Sequence, residues 1–264
     1  HDRPGHDINY LALSGYFAVQ AAVEGRPWPP PILVSDIASG LYATISVLAA
    51  ISGRDISGTG TYIDLSMTES ALTLLGPEIW NANRVVQSNA QPNVTSIPHY
   101  DLFVCEDGRW LSIGIVHEDH FWHRLCEVTG LDHAANIIFP DRMERKDEIK
   151  KMLEKVFRTK TAAEWEKALL DADVPVAIIF GPEELANSPQ FQARSALVEL
   201  GPDMYTAQPA KFSSGPITPE AGPPSLGEHR NEIVIEIGYT EDESKQLIES
   251  GAFGTPGEQR HHDS

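Results

Sequence analysis

The sequence predicts an α/β fold, and three observations support that prediction. Residues 35–84 have the order helix, glycine turn, strand, helix, which is typical of a piece of an open α/β sheet. Beyond residue 98, two apolar strands flank an Asp-Gly turn, and helical patterns follow them. Two polar or proline-rich stretches, 85–98 and 188–224, are interpreted as linkers. We therefore expect a boundary between an α/β region and a smaller region of hairpin and helices.

The first region is expected to contain three helices and one strand. Residues 8–23 form a mostly apolar pattern, which the segment EGRPWPPP ends because proline has no N–H and disfavours helix before it. The stretch from residue 35 is apolar almost all round, which predicts a helix packed inside an α/β layer. Residues 61–65 alternate as a strand does. An S-x-x-E capping box at 66–69 begins a helix that runs to about residue 84.

One strand cannot cover these helices, because their apolar residues lie on too many sides to stand in water. We therefore expect another element or chain to cover them.

The later region is expected to contain a hairpin, several helices and a short buried strand. The Asp-Gly dipeptide at 107–108 places the hairpin turn between YDLFVC and RWLSIGIV. Capping boxes at 161–164 and 240–243 mark two helix starts. The helix that starts at 161–164 is expected to end near residue 172. The other predicted elements are helices at 119–129 and 142–158, the strand VPVAIIF, and two closing helices after residue 225.

Charge and cysteine content limit the partners. The formal net charge of −18 argues against non-specific attraction to nucleic acid or to anionic lipid. Cys105 and Cys126 lack metal-ligand spacing and are interpreted as two reduced, half-buried thiols, which favours the cytoplasm. The most apolar stretch, 32–51, carries Asp36 and several Ser and Gly residues, which favours a buried helix over a membrane span. We expect neither a nucleic-acid partner nor a membrane partner.

Two places carry side chains suited to acid/base chemistry. His6 and Asp7 directly precede the first helix, where an aspartate is otherwise a helix cap. Asp36 lies in the first turn of an apolar helix, where the helix dipole favours a carboxylate but burial would desolvate it. Such a conflict is typical of functional sites, although Asp36 or Ser35 as a simple cap remains the alternative.

Motifs for metal and dinucleotide binding are not indicated. His117 and His120 lie three residues apart, whereas the H-E-x-x-H zinc motif needs four, so no metal site is expected. The glycines of SGTGTY lead into a strand rather than from a strand into a helix, which favours a tight turn.

Five segments resemble one known family, the class III CoA-transferases (CaiB/BaiF-like) and the α-methylacyl-CoA racemases that share their fold. GHDINYLALSG resembles the racemase signature around its catalytic histidine, and SDIASGLYATISVLAAISGRDISGTGTYIDLSMTES resembles the stretch that bears the catalytic aspartate. The other three are PHYDLFVCEDGRWLSIG, LLDADVPVAIIFGPEEL and PPSLGEHRNEIVIEIGY. The resemblance covers most of the chain.

The resemblance implies an open Rossmann-like large domain, a smaller α+β domain and an interlocked homodimer. Family members carry a further N-terminal region that holds the first βα units, so we expect a companion chain to supply it. The expected domains are residues 1–84 and 225–252 for the large domain, 99–187 for the small domain, 85–98 and 188–224 for the two extended linkers, and 253–264 for a flexible tail.

By position, the resemblance implies that His6 is the racemase histidine and that Asp36 is the aspartate shared with transferases. Glu118 matches an acid early in the small domain after a one-residue insertion, while Asp7 and Tyr10 match residues that line the substrate site. The implied substrate is an acyl-CoA thioester of lipid metabolism in the cytoplasm. Coenzyme A would be part of the substrate, with no tightly bound cofactor.

The same residues allow two reactions and one inactive alternative. In a racemase, His6 and Asp36 exchange the α-proton on opposite faces of the thioester, amides near Asp36 hold the enolate oxygen, and Glu118 orients or relays. In a transferase, the Asp36 carboxylate attacks the thioester and forms a mixed anhydride, and His6 takes no part. An inactive subunit that serves only assembly is the third alternative. The histidine favours the racemase.

Overall fold

The computed structural model describes residues 4–85, 96–215, 217 and 221–254. These residues fall into two compact units, 1–179 and 180–264. Most of the predicted linker 85–98 and most of the predicted tail 253–264 lie outside the described residues.

The beginning of the first unit is helical. Helices α1 and α4 pack against each other, and both pack against α3. Their bounds are α1 Asp7–Ser14, α2 Tyr16–Glu24, α3 Val34–Ser57, α4 Met67–Thr73 and α5 Gly76–Val85.

Two predictions for this region are wrong in detail. The helix expected over 8–23 is divided at Gly15, whose φ of +89° is a left-handed conformation that glycine adopts without steric cost. The helix expected to run from 67 to 84 is divided between α4 and α5. The predicted helix end near Glu24 is confirmed. The predicted helix start after Ser66 is also confirmed, and the Ser66 side chain accepts from the Glu69 N–H at 3.2 Å.

The strand expected at residues 61–65 does not form in the described structure. Its sequence alternates as a strand should, but a strand is held by backbone hydrogen bonds to a neighbour. No strand of the described residues pairs with this segment. The local pattern is therefore present without the partner that would make it a strand.

Helix α3 is largely in contact with solvent, against the prediction of a packed helix. Its buried residues, Ser35, Ala38 and Ser39, lie in the first two turns. Among its large apolar side chains, Leu41 and Leu48 are each 62% exposed. By length and composition alone, α3 could cross a membrane, and it is the one such helix among the described residues.

The rest of the first unit is an α+β assembly around one apolar core. A three-stranded antiparallel sheet has the order β1-β2-β3, with Tyr100 opposite Gly114 and Leu111 opposite Ile178. Helices pack on one face of this sheet, and Trp122 and Trp165 lie in the core between them. The bounds are β1 Tyr100–Val104, β2 Trp110–Gly114, α6 Asp119–Thr129, a 3-10 turn at Asp132–Ala134, α7 Phe139–Glu144, α8 Lys146–Phe157, α9 Ala162–Asp171 and β3 Val176–Ile178.

Most predictions for this part are confirmed. The hairpin turns at the Asp-Gly dipeptide, with Gly108 at a φ of +77°. The helix at 119–129 has the expected bounds, and the Thr161–Glu164 box is reciprocal. The helix predicted at 142–158 is instead two, α7 and α8, with Arg145 between them.

The two cysteines lie in this core and are buried rather than half-buried. Burial raises the pKa of Cys105 to about 11 and that of Cys126 to about 12, so both thiols stay protonated at neutral pH.

The second unit is built from short elements. Its two-stranded sheet pairs Leu197 with Thr206 and lies inside the segment predicted to be an extended linker, 188–224. The Thr240 capping box is confirmed. The bounds are α10 Pro182–Leu185, α11 Pro189–Ala193, β4 Leu197–Leu200, β5 Asp203–Thr206, α12 Arg230–Glu236 and α13 Glu241–Glu249.

The mixed α/β class is therefore confirmed, as helices with small antiparallel sheets. Because every strand pair of the described residues is antiparallel, the Rossmann-like sheet stays a prediction. The domain boundaries and the interlocked dimer stay predictions as well.

Candidate functional site

His6, Asp7 and Tyr10 lie at the start of α1. The His6 carbonyl accepts from the N–H groups of Asn9 and Tyr10 at 2.9 and 3.3 Å, so this residue begins the helix, and its side chain is exposed. The Tyr10 hydroxyl donates to the Gly5 carbonyl at 3.1 Å. The imidazole is therefore accessible, whereas the phenol is tied to the backbone that precedes the helix.

Asp7 points away from solvent and binds the start of α3. Its Oδ1 accepts from the Ser35 N–H at 2.6 Å, from the Ser35 hydroxyl at 2.7 Å and from the Asp36 N–H at 3.3 Å. Both Asp7 and Ser35 are buried, with 6% and 0% exposed. The carboxylate thus fixes the first turn of α3 against the first turn of α1.

Asp36 is half-buried in the first turn of α3. No lysine or arginine of the described residues forms an ion pair with it. Its carbonyl accepts from the Ser39 hydroxyl at 3.0 Å. The Asp36 carboxylate therefore forms no structural ion pair within the described part of the chain.

The structure brings the backbones of His6 and Asp36 to one place. His6 directly precedes Asp7, and the Asp36 N–H donates to the carboxylate of Asp7. The two residues that the resemblance selects are 30 positions apart in sequence, yet they flank one hydrogen-bonded contact.

The same contact concerns the amides near Asp36, which are the expected donors to the enolate oxygen. Among these amides are the N–H groups of Ser35 and Asp36. Both donate to Asp7 instead, because a helix start leaves these groups without an intrahelical partner. These two N–H groups are therefore engaged, and the expectation that amides near Asp36 hold the enolate oxygen stays a prediction.

Glu118 precedes α6, in the α+β part of the first unit. It accepts the Val116 N–H at 2.8 Å. Desolvation raises the pKa of Glu118, but hydrogen bonds from the backbone of Glu118 itself and of Val116 lower it more, so the net pKa lies below its usual value. Within the described part of the chain, no hydrogen bond or ion pair joins Glu118 to His6 or Asp36, and its role stays a prediction.

A buried polar cluster beside Glu118 was not identified from the sequence. Arg142 is 0% exposed and pairs with Asp119 at 2.9 Å, and its guanidinium lies over the Trp122 ring at 5.1 Å. His99 is also 0% exposed, and its Nδ1 lies 2.9 Å from the Ile115 carbonyl oxygen. His99 lies in a segment that carries the family resemblance, but the sequence predicts no role for either residue, and only the three-dimensional structure reveals the cluster.

The residue that sequence reasoning undervalued at the site itself is Ser35. The signal was present, since a serine and an aspartate begin a helix that is otherwise apolar. That signal predicted a local cap, whereas the acceptor comes from Asp7 in another helix. Among the described residues, no group of three or more His, Cys, Asp or Glu side chains could hold a metal ion.

Comparisons with known proteins agree with the resemblance. A family model described as CoA-transferase family III matches residues 1–230. The α-methylacyl-CoA racemase of Mus musculus is 32% identical over 253 residues, a match that covers 92% of this chain and 65% of the racemase. The acetyl-CoA:oxalate CoA-transferase of Acetobacter aceti is 28% identical over 221 residues, covering 80% of this chain and 55% of that enzyme.

Solved structures share the fold. A CAIB/BAIF family protein from Brucella suis superimposes with a TM-score of 0.74 at 20% identity, covering 89% of this chain and 64% of that one. A hypothetical protein from Mycobacterium tuberculosis gives a TM-score of 0.70 at 24% identity. The chain thus spans less than two thirds of the length of these relatives.

Proposed function

Because the chain belongs to CoA-transferase family III, we propose that it acts on acyl-CoA thioesters and exchanges the proton at their α-carbon, as a racemase does. The observation that carries this proposal is the contact of Asp7 with Ser35 and Asp36, which brings the residue after His6 to the first turn of α3. An imidazole and a carboxylate thereby extend from two neighbouring helix starts.

The chemistry follows from the thioester. Its α-hydrogen is acidic because the enolate that remains spreads its charge onto the carbonyl oxygen. The neutral imidazole of His6 removes the proton on one face, since a histidine side chain can act as a general base. Asp36, as a carboxylic acid, returns a proton on the other face. Glu118 orients or relays, and coenzyme A is part of the substrate rather than a resident cofactor.

A class III CoA-transferase is the second candidate, favoured by the transferase relatives of the chain. In that reaction the ionised carboxylate of Asp36 attacks the thioester carbonyl, coenzyme A leaves as its thiolate, and a mixed anhydride remains. The carboxylate of the acceptor acid then displaces the donor acid from the anhydride. The thiolate attacks the new acyl carbonyl, which gives the product thioester and frees the Asp36 carboxylate. The two candidates differ in their demand on one residue, because a nucleophile must be ionised and a returning acid must be protonated.

The proposal includes partners for the exposed helices. A companion chain with the N-terminal region of the family, or a second copy of this chain in an interlocked dimer, would cover the apolar face of α3. The exposed leucines of α3 support such a cover. An inactive subunit within a complex is the third alternative, and retention of coenzyme A by the purified protein and its partners would contradict it.

The test is incubation of a 2-methylacyl-CoA in deuterated water, with and without a free acceptor acid. We expect deuterium at the α-carbon without the acid. His6→Ala should abolish this label, whereas His133→Ala, at an exposed histidine in the α+β part, is the matched control. No label without the acid, together with acyl exchange after its addition that survives His6→Ala, would replace the racemase with the transferase.

A further inference from the structure

The start of α3 has no capping side chain of its own. The residue at its N-cap position is Leu33, whose side chain accepts no hydrogen bond. The N–H groups of the second and third residues of a helix need an acceptor, which a side chain at the N-cap position usually provides. In α3 these are the N–H groups of Ser35 and Asp36, and both donate to Asp7 of α1.

The cap is buried and uses a single carboxylate oxygen. Oδ1 of Asp7 takes three donors, at 2.6, 2.7 and 3.3 Å, and the Ser35 hydroxyl also lies 3.3 Å from the Asp7 carbonyl oxygen. Hydrogen bonds to an ionised acceptor are stronger than neutral ones, and the N-terminus of a helix favours negative charge. The first turn of α3 is therefore held more firmly than a local serine cap would hold it.

We propose that Asp7 is a positioning residue that acts through Asp36, rather than a residue that contacts substrate. The proposal rests on the proposed function for its catalytic consequence. One donor to Asp7 is the backbone N–H of Asp36 itself, so the capping carboxylate fixes the backbone that carries the reactive side chain.

The same side chain also determines where His6 stands. His6 directly precedes Asp7, so the peptide that carries the imidazole is anchored by the contact that anchors Asp36. One carboxylate thus sets the separation of the two acid/base groups. Its loss would let the two helix starts move apart, and a displacement of about 1 Å in an active site can cost on the order of a hundredfold in rate.

Two variants of Asp7 separate the cap from its charge. Asp7→Ala removes every acceptor of the side chain, whereas Asp7→Asn keeps an Oδ1 that can accept from the same N–H groups, and asparagine is as good a cap as aspartate. Asp55→Ala is the matched control, because Asp55 lies on the same helix α3 with an exposed side chain. Two readouts are needed for each: kcat and KM for deuterium exchange, and hydrogen exchange at the amides of Ser35 and Asp36 followed by NMR.

We expect Asp7→Ala to lower kcat by about 100-fold with little change in KM, and to remove the protection of both amides. Asp7→Asn should restore the protection and most of kcat. Unchanged amide protection in Asp7→Ala would overturn the proposal, whatever the activity. Protected amides with a kcat in Asp7→Asn as low as in Asp7→Ala would also overturn it, because the carboxylate would then be needed for the chemistry itself.

Failure of the proposed function would look different. A wild-type protein that incorporates no deuterium would contradict racemisation, while the amide protection of the three proteins would still decide whether Asp7 fixes the backbone of Asp36. If Asp7→Ala does not fold, the comparison of Asp7→Asn with the wild type carries the test.

Discussion

The two parts of the first unit bury very different amounts of apolar side chain. In residues 97–179, one core contains Trp122, Trp165 and Phe157 together with many aliphatic side chains. In residues 4–85, the buried apolar side chains among those described are Leu11, Ala38, Ala71 and Leu75. The buried residues of 97–179 include large aromatic side chains, whereas two of the four in 4–85 are alanine.

This difference shows that the length of the helices and the amount of apolar side chain they bury are separate properties. Residues 4–85 contain the longest helix of the described chain, yet its leucines face solvent. Residues 97–179 have shorter helices, but α6, α8 and α9 bury apolar side chains in one core with the sheet. Residues 97–179 thus bury a core of their own, whereas residues 4–85 leave much of their apolar surface exposed.

The largest expected effect is on the free energy of unfolding, tested at one leucine from each part. Leu153 is 0% exposed in the core, so Leu153→Ala should lower the free energy of unfolding by about 2–5 kcal/mol through lost burial and the cavity left behind. Leu48→Ala is the matched change at a residue that is 62% exposed in the single chain, and in dilute protein without a partner it should cost no more than about 0.5 kcal/mol. Urea denaturation followed by tryptophan fluorescence and circular dichroism measures both.

A Leu48→Ala cost as large as that of Leu153→Ala would contradict the comparison. It would mean that the α3 face is buried in solution, by a second copy or by a companion chain, and a dependence of the cost on protein concentration would identify the second copy.

The next effect concerns pH and the buried His99. Burial, opposed by the Ile115 carbonyl and reinforced by Arg142, lowers the pKa of His99 from 6.5 to about 4, while Glu118 acts to raise it. Below about pH 6.5, His99 therefore binds a proton in the unfolded chain but stays neutral in the folded chain. The free energy of unfolding consequently decreases as the pH falls from about 6.5 towards 4. The loss from this group should be about 2 kcal/mol by pH 5.

His99→Gln is the control, because its amide does not titrate. Its free energy of unfolding should fall less steeply than that of the wild type between pH 7 and pH 5, in urea titrations repeated at each pH. Parallel profiles for the two proteins would show that His99 is not the group responsible.

The smallest effect compares helix caps in the two parts. Thr161 forms a reciprocal box with Glu164, and Ser66 accepts the Glu69 N–H at 3.2 Å. Thr161→Ala and Ser66→Ala should each cost about 1 kcal/mol, since a cap acts within its own first turn. Hydrogen exchange in α9 and α4 reports each loss locally. A negligible cost at Ser66 with a full cost at Thr161 would mean that local capping also depends on the core.

The sequence could predict features that depend on local signals, but not features that depend on distant partners. The hairpin at Gly108 and helix α6 were predicted because an Asp-Gly turn and a helical apolar pattern are local signals. The strand predicted at 61–65 does not form in the described structure, because pairing depends on a neighbour that the local pattern cannot report. Gly15 divides a helix whose apolar pattern continues unbroken, so the pattern alone gave no reason to expect the break.

The site divides in a similar way. The places of His6 and Asp36 before or within the first turn of a helix made them candidates, and a resemblance to a family gave them roles. The structure adds the contact that relates their backbones. The hydrogen bond from Ser35 to Asp7 spans 28 positions, and no periodicity in the sequence reports a contact of that range. The cluster of His99 and Arg142 is missing from the prediction for the same reason, since its members come from separate elements.

The Asp7 contact also closes a loop, and the loop is unusually rich in proline. Between α1 and α3 the chain carries RPWPPP, in which the Arg26 guanidinium lies 3.4 Å from the centre of the Trp28 ring and the Trp28 N–H donates to the Gln20 side chain at 2.6 Å. Because proline fixes φ before the chain folds, this connection has less conformational entropy to lose when its ends meet. The composition of the joining segment thus favours the meeting of the starts of α1 and α3.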